Sequence, residues 1–547
     1  MKIKELKLEE LNVEQKLGMV MCGRIYNFWD EEKSKANADY AIQMIKEHKL
    51  GAIWVTPNYK FDEMMARIKE AADYPILIMS DAESGFRDPN GDGTKGTHAD
   101  LIGMHNAIGV CGTQESAYAF GKVTAVQARK AGYNVICNPV LDMINNNSCC
   151  GMTMRSMGGN KYKVAELAAA EAQGMHDGGV LTVGKHFPSA STPTRRNNKS
   201  YIDSHMAEEH SDATLEEILD YCWYPYLELC KKGLLDGVMT GHTLVPALDP
   251  EYPTSLSKKT MDLFRDKGFD GFAITDALVM MGVAAKYGLD ESRGMSIAGG
   301  NSLALMWSEN KPCYESLLKS YEKGIIPDEI LDAAVQQVLD AQHKVTLLDT
   351  TAEITEEDLV NYNKINTEGI YAKTDEGVSV ALPKDKKYYF VIMCHNETEV
   401  NDGKIDVDTM TKKWYNPNEI KDRLLELYPG SAARIIREYP SSTDGWSICG
   451  DNVKYDEVVF VTFSDGKAYQ GCEDFTPRLI SLFVCLQVTN RISTVLHFGN
   501  PFILEDLPHV SRVLVGGNSQ AAVDAGINAL SGKVQANGKM TYDVKLK

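Results

Sequence analysis

Residues 266–280 read DKGFDGFAITDALVM and hold one complete unit of the architecture. Gly268, Phe269 and Gly271 compact the approach to a short apolar run, Phe272–Thr275, which reads as a buried strand. Asp276 stands immediately past its end. The unit recurs along the chain. Short apolar runs bounded by Gly, Pro or a polar residue fall at Leu17–Cys22, Gly51–Val55, Pro75–Ser80, Asn134–Asn138, Val180–Gly184, Gly237–Gly241 and Ser302–Met306. Between them, Ala38–His48, Lys60–Ala72, Ser116–Ala131, Lys163–His176 and Leu215–Lys232 carry helical spacing. Parallel strands need helical crossovers, and eight such units in about 300 residues match an α/β fold with an N-terminal (β/α)8 TIM-like barrel. A doubly wound open sheet is the alternative, since periodicity alone does not close a ring.

From about residue 350 the texture changes. TAEITEEDLVNYNKINTEGIYAKTDEGVS (351–379) is polar and helical with no strand signal, and reads as a connector. Strand-like runs resume at Tyr388–Cys394, Val458–Phe463, Ser493–Phe498 and Arg512–Val515, with helical stretches Asn418–Tyr428, Arg478–Val488 and Gln520–Leu530 among them. The expected organisation is a catalytic barrel over 1–350, a connector over 351–385 and a smaller α/β domain over 386–547.

Composition narrows the function classes. Of 547 residues, 44% are apolar and 24% charged, which is globular and excludes long disorder. Lys and Arg number 57 against 76 Asp and Glu, a net charge of −19, which disfavours nucleic acid and anionic membrane as partners. The 12 cysteines form no C-x-x-C pair, and the one close pair, Cys149 and Cys150, is adjacent. The opening MKIKELKLEELNVEQK mixes acids and bases where a leader would be apolar. The uncharged run Leu479–Asn490 is too short to span a bilayer. A reduced, cytoplasmic protein is the expectation.

Functional side chains of a barrel lie at the C-terminal ends of its strands. Reading past each run gives Asp81, Asp142, Lys185 with His186, His242 and Asp276. The stretch VGKHFPSASTPTRRNNKSYIDSHMAEE (183–209) adds Asp203-Ser204-His205. In an extended segment residues i and i+2 face one side, so Asp203 can hydrogen-bond the His205 imidazole, as a general acid/base histidine needs. No third ligand is spaced to complete a metal site. Asp276 reads as a nucleophile, a ligand or the N-cap of the next helix.

These motifs, in this order, resemble glycoside hydrolase family 3, and specifically its β-N-acetylglucosaminidase branch. The D-x-E-x-G signature is similar to Asp81–Gly85, with Arg87 behind it. N-x-x-P-V-L-D and R-S-F-G resemble NVICNPVLD (134–142) and Arg155-Ser156-Met157-Gly158. K-H-F-P stands at Lys185–Pro188 and D-S-H at Asp203–His205. GHTLVPALDP (241–250), GFDGFAITDALVM (268–280), FGNPFILEDLP (498–508) and the closing GKM complete the match, the last two in an α/β sandwich domain.

The resemblance implies a retaining, exo-acting glycoside hydrolase that releases terminal β-linked N-acetylglucosamine through a covalent glycosyl-aspartate. It implies Asp276 as nucleophile, His205 as acid/base held by Asp203, and Asp81, Arg155, Lys185 and His186 on the sugar hydroxyls. Asp142 and His242 are further rim candidates. No cofactor or metal is implied, and the partner is a small glycan or glycoside, with oligomeric state open. The alternatives are a β-N-acetylglucosaminide phosphorylase, a β-glucosidase on the same fold, and a non-catalytic sugar-binding protein. The chain departs from the family pattern at Ser189-Ala190-Ser191, where G-H-G is usual, at Met157 for Phe and at Ser84 for Gly. It also carries extra bases, Arg195, Arg196 and Lys199, which read as a solvated face or an anion site for a carboxylated aglycone or phosphate.

Overall fold

The computed structural model describes residues 3–547 apart from 57–58, 88–100, 145–151, 190–194, 197–198, 201–202, 395–398, 402–403, 407–413, 465, 467–468 and 470–473. The chain forms two compact units. The first is Met1–Ala99, Gln114–Met143 and Asn160–Tyr362; the second is Asp100–Thr113, Ile144–Gly159 and Asn363–Lys547.

In the first unit eight parallel strands form one sheet: β1 (Met21–Ile25), β2 (Ala52–Val55), β3 (Leu77–Ser80), β4 (Val135–Ile136), β5 (Leu181–Phe187), β6 (Gly237–Thr240), β7 (Phe272–Thr275) and β8 (Ala304–Leu305). Each pairs with its neighbours in sequence, and β8 returns to pair with β1. A parallel bridge between Ile274 and Leu303 joins the two ends, so the ring closes as the barrel reading expected and the open sheet does not apply. Cys22 Sγ on β1 lies 3.9 Å from Met79 Sδ on β3. Those strands are not neighbours, so both side chains point into the barrel. The approach to β7 is as tight as its glycines suggested: a Cβ on Gly271 would stand 2.2 Å from the Asp236 carbonyl oxygen.

Boundaries differ from the sequence reading at several elements; the helix expected from Ala38, for example, begins at Glu31. Leu17 and Met19 are buried, but from helix Val13–Met19, whose N-cap Asn12 forms a capping box with Gln15; the strand begins at Met21. β5 runs on to Phe187, so Lys185 and His186 lie on the strand and not past it. The helix expected over Leu215–Lys232 breaks into Leu215–Glu217, a π-helical turn Ile218–Cys222 and helix Tyr224–Lys231, where Pro225 sits in a first turn that needs no N–H.

The main sheet of the second unit has six strands: β9 (Tyr371–Thr374), β10 (Tyr388–Cys394), β11 (Ala432–Arg437), β12 (Glu457–Phe463), β13 (Ile492–Phe498) and β14 (Arg512–Gly516). Their order is β9-β14-β13-β12-β10-β11, parallel except for the antiparallel β9. Side chains of β10 alternate between two cores. Phe390 and Ile392 pack with Ile420, Leu424 and Val523 of helices Pro417–Leu427 and Gln520–Leu530; Val391 and Met393 pack with Ile448, Leu479 and Phe483 of helices Ser442–Asp451 and Pro477–Val488. This is a three-layer α/β sandwich. The segment 351–379, read as lacking strands, contains β9, and β11 was also not foreseen. These two are the sheet's edge strands, half-exposed and more polar than the centre. No helix among the described residues is long and apolar enough to cross a membrane.

Candidate active site

The end of β3 and the end of β5 meet through charge. The Lys185 ammonium, 1% exposed, lies 2.5 Å from Asp81 Oδ1 and 2.6 Å from Glu83 Oε1. A buried ammonium is tolerated only when paired, so these two carboxylates fix the lysine and it fixes them. Asp81 keeps half of its side chain exposed, whereas Glu83 is nearly covered.

Asp142 arrives on an extended segment that follows the short β4 and runs beside β5: Leu141 N–H donates to the Lys185 carbonyl, and Lys185 N–H to that of Pro139. Asp142 Oδ2 accepts from the backbone N–H of His186 at 2.9 Å and lies 2.8 Å from His186 Nδ1. With Nδ1 held there, the other ring nitrogen, Nε2, stands 4.0 Å from Asp276 Oδ2. Asp276 continues the β6–β7 pairing, its N–H donating to the Thr240 carbonyl, and its Oδ1 accepts from Ala277 N–H at 2.7 Å.

His242 is buried. Its Nε2 lies 3.1 Å from the Ala277 carbonyl, which can only accept, so Nε2 carries the proton and Nδ1 accepts from the Ser255 hydroxyl at 2.8 Å. Burial pushes its pKa below the ordinary histidine value, against the pull of Asp276, which suits a neutral ring. His242 thus holds the residue that follows Asp276.

Asp203 Oδ1 accepts from the His205 backbone N–H at 2.9 Å and lies 2.7 Å from His205 Nδ1. The expected contact is present, but the backbone is a turn and not an extended segment: the N–H groups of Met206 and Ala207 both donate to the Asp203 carbonyl. This turn is clamped to the helix after Asp276, with Met281 N–H donating to the His205 carbonyl and Gly282 N–H to that of Ser204. A Cβ on Gly282 would stand 2.7 Å from Ser204 O, so the close approach requires glycine. Behind the turn, Glu209 accepts from the Thr243 hydroxyl at 3.2 Å, and burial raises its carboxyl to about 7.

The structure therefore brings together Asp81, Asp142, Lys185, His186, Asp203, His205, His242 and Asp276 in the first unit. Arg155 ends helix Met152–Arg155 in the second unit. Residues 190–194, Cys149 and Cys150 lie outside the described residues, as do the side chains of Arg195, Arg196 and Lys199; the backbone there pairs Arg195–Arg196 with Lys199–Ser200. Ser189, which replaces a usual glycine, adopts φ +60° and is buried, its Oγ accepting from Met143 N–H and donating to the Leu141 carbonyl. Sequence reading assigned no role to Glu83 or Glu209. The first had a signal, the i, i+2 spacing in D-x-E. The second had none, because its burial comes from pairing with the distant segment around Leu244. Among the described residues no group of three or more His, Cys, Asp or Glu side chains is arranged to hold a metal ion.

A closed parallel barrel with carboxylates and imidazoles at the ends of its strands defines a barrel enzyme equipped for nucleophilic and acid–base chemistry. Residues 2–341 match the model of the glycosyl hydrolase family 3 N terminal domain; the chain belongs to that family and is a glycoside hydrolase. It is similar to the beta-hexosaminidase of Idiomarina loihiensis, 27% identical over 269 residues that span 47% of this chain and 76% of that one. It is 30% identical over 222 residues to beta-hexosaminidase LpqI of Mycobacterium tuberculosis, covering 39% of this chain and 55% of that one. A family 3 β-N-acetylglucosaminidase from Paenibacillus sp. str. FPU-7 shares the fold over 98% of this chain and 100% of that one, with a TM-score of 0.78 at 23% identity. Beta-glucoside phosphorylase BglX does so with a TM-score of 0.76 at 22% identity, over 98% and 94%.

Proposed function

We propose that the protein is a retaining, exo-acting hydrolase of terminal β-linked N-acetylglucosamine. The observation that carries this reading is the 2.7 Å contact of His205 with Asp203, on a turn clamped to the segment that follows Asp276. The names of the curated relatives support the sugar. Asp276 attacks the anomeric carbon and forms a glycosyl ester as the bond to the leaving oxygen breaks; His205 delivers its Nε2 proton to that oxygen. In the second step the same nitrogen takes a proton from water, whose oxygen attacks the anomeric carbon and frees Asp276. Asp203, bound at Nδ1, stabilises the imidazolium in each cycle.

Asp81, Lys185, His186 and Arg155 are assigned to the sugar hydroxyls. Asp142 orients His186, and His242 holds the residue after the nucleophile. Catalysis is assigned to the barrel, the substrate being a small glycoside. A reducing, cytoplasmic setting is part of the same proposal. The test is a slow fluorinated glycosyl donor followed by peptide mapping. The label is expected on Asp276, and label on another carboxylate overturns the assignment.

A further inference from the structure

The chemistry above uses the ends of β3 to β7. The ends of β1, β2 and β8 carry a different set of residues: Arg24, Trp54 and Trp307. Arg24 lies opposite Trp54, and Trp54 opposite Met79. Cys22, two residues before Arg24, reaches Met79 across the barrel interior, so this row faces inward, and Asp81 follows two residues beyond Met79. Trp307 lies two residues past Leu305, the partner of Cys22. Arg24 and the two tryptophans therefore line the same mouth as Asp81.

The Arg24 guanidinium carbon is 3.7 Å from the centroid of the Tyr26 ring and 3.7 Å from that of Trp307; Trp307 in turn meets Trp54 edge to face at 5.5 Å. The residue is 6% exposed. Among the described residues no carboxylate pairs with it, and its Nε has no hydrogen-bond partner. Its backbone is pinned by Asn310, which accepts from Arg24 N–H at 2.8 Å and donates to its carbonyl at 2.9 Å. Burial pulls the guanidinium down to about 10, which still leaves it charged at neutral pH. Ring faces stabilise a cation without neutralising it. They also hold the guanidinium plane in one orientation, which leaves its fork ready for two parallel hydrogen bonds.

We propose that Arg24 recognises an oxyanion presented at the mouth of the barrel, with Trp54 and Trp307 forming the apolar wall beside it. The oxyanion is a carboxylate on the glycoside or inorganic phosphate. The inference rests on the barrel mouth being the substrate site, and it is independent of the bases at 195–199.

The experiment compares wild type, Arg24→Met and Arg24→Lys on three arms: a neutral aryl β-N-acetylglucosaminide, the same glycoside with a carboxylate on its aryl ring, and the neutral one with added inorganic phosphate. Thermal unfolding of each variant is measured alongside, and Arg24→Lys keeps the charge should Arg24→Met fold poorly. A charge-assisted pair predicts that Arg24→Met lowers kcat/KM for the carboxylated glycoside about tenfold more than for the neutral one, with Lys in between. Selective loss of a phosphate effect instead identifies free phosphate as the oxyanion. Equal effects on all arms overturn the proposal. If wild type turns over no glycoside, the catalytic reading fails, and titration with inorganic phosphate and the carboxylated glycoside decides Arg24 separately. Binding that Arg24→Met abolishes supports the site, and binding that it leaves unchanged removes it.

Discussion

Both units place parallel strands between helices, yet their strand ends differ. The barrel ends in Asp81, Asp142, Lys185 with His186, His242 and Asp276, whereas β12 runs into Ser464, β13 into Gly499-Asn500 and β14 into Gly517. Buried histidines make the contrast sharper. In the second unit His497 sits between the Thr462 hydroxyl and the Asn500 carbonyl, as His242 sits between Ser255 and Ala277 in the first. Burial pushes both below the ordinary histidine range, His497 to about 3. His186 and His205 instead set Nδ1 against a carboxylate. His242 and His497 brace the backbone through a hydroxyl and a carbonyl, whereas at the barrel's strand ends a carboxylate fixes Nδ1 of His186 and of His205.

The largest test of that contrast is loss of the nucleophile. Asp276→Ala is expected to lower kcat by roughly four orders of magnitude with little change in Tm, since the interaction lost belongs to the transition state. His497→Gln is expected to do the reverse, lowering Tm while a folded sample keeps kcat within a few-fold. Steady-state kinetics with thermal unfolding on both variants checks the pair. A folded but inactive His497→Gln would break the comparison.

Next in size is the dyad. His205→Ala is expected to cost roughly 10²- to 10⁴-fold on substrates with poor leaving groups and much less on activated aryl glycosides, which need no proton. Asp203→Ala is expected to be milder, leaving a misoriented imidazole in place. A leaving-group series on each variant measures this. A uniform loss across the series would remove the acid role from His205.

How far these roles were legible follows from what each depends on. The eight barrel strands announce themselves because parallel strands buried on both faces are short continuous apolar runs. The misplaced start of β1 arises because Leu17 and Met19 are equally apolar on the preceding helix. β9 and β11 carried no such signal, since edge strands keep polar faces. At the site, residue types at strand ends were readable, and so was the pairing of Asp203 with His205, although a turn and not a strand makes it. Glu209 was not readable, because a long-range pairing buries it. Nor was the stacking of Arg24 between rings, which needs β8 to return to β1.

Protonation separates the units more gently. Glu209 is raised from 4.5 to about 7, chiefly by burial, with Asp142 and Asp203 adding to it and Thr243 and His205 opposing. A raised carboxyl contributes stability that is fully present below about 4.5 and lost as pH rises through about 7. His497 is depressed from 6.5 to about 3, so its contribution is present above 6.5 and lost as pH falls toward 3. The barrel is thus expected to weaken on the alkaline side of this window and the sandwich on the acid side. Hydrogen exchange resolved by unit across pH 4 to 8 tests this, with Glu209→Gln flattening the first trend and His497→Gln the second. Parallel trends in both units would show that other groups dominate.

The smallest expected effects come from two left-handed residues. Ser189, at φ +60°, is buried in the site loop and its hydroxyl joins Leu141 to Met143. Asn490, at φ +54°, is exposed just past helix Pro477–Val488, where its N–H donates to the Gln487 carbonyl. Replacing either by glycine relieves a backbone strain of about 1 kcal/mol and gives part of it back as chain entropy. At position 490 nothing else is lost, because asparagine is there for its tolerance of this conformation. Asn490→Gly is therefore expected to change stability by less than about 0.5 kcal/mol. At position 189 the two hydrogen bonds of the hydroxyl go as well, so Ser189→Gly should cost about 1 kcal/mol net. Ser189→Ala keeps the strain, loses the same bonds and should cost more. Denaturant titrations of the three variants rank them. If Ser189→Gly proved as neutral as Asn490→Gly, the serine would be a tolerated substitute for the family's glycine, and its bridge would contribute nothing to holding the site loop.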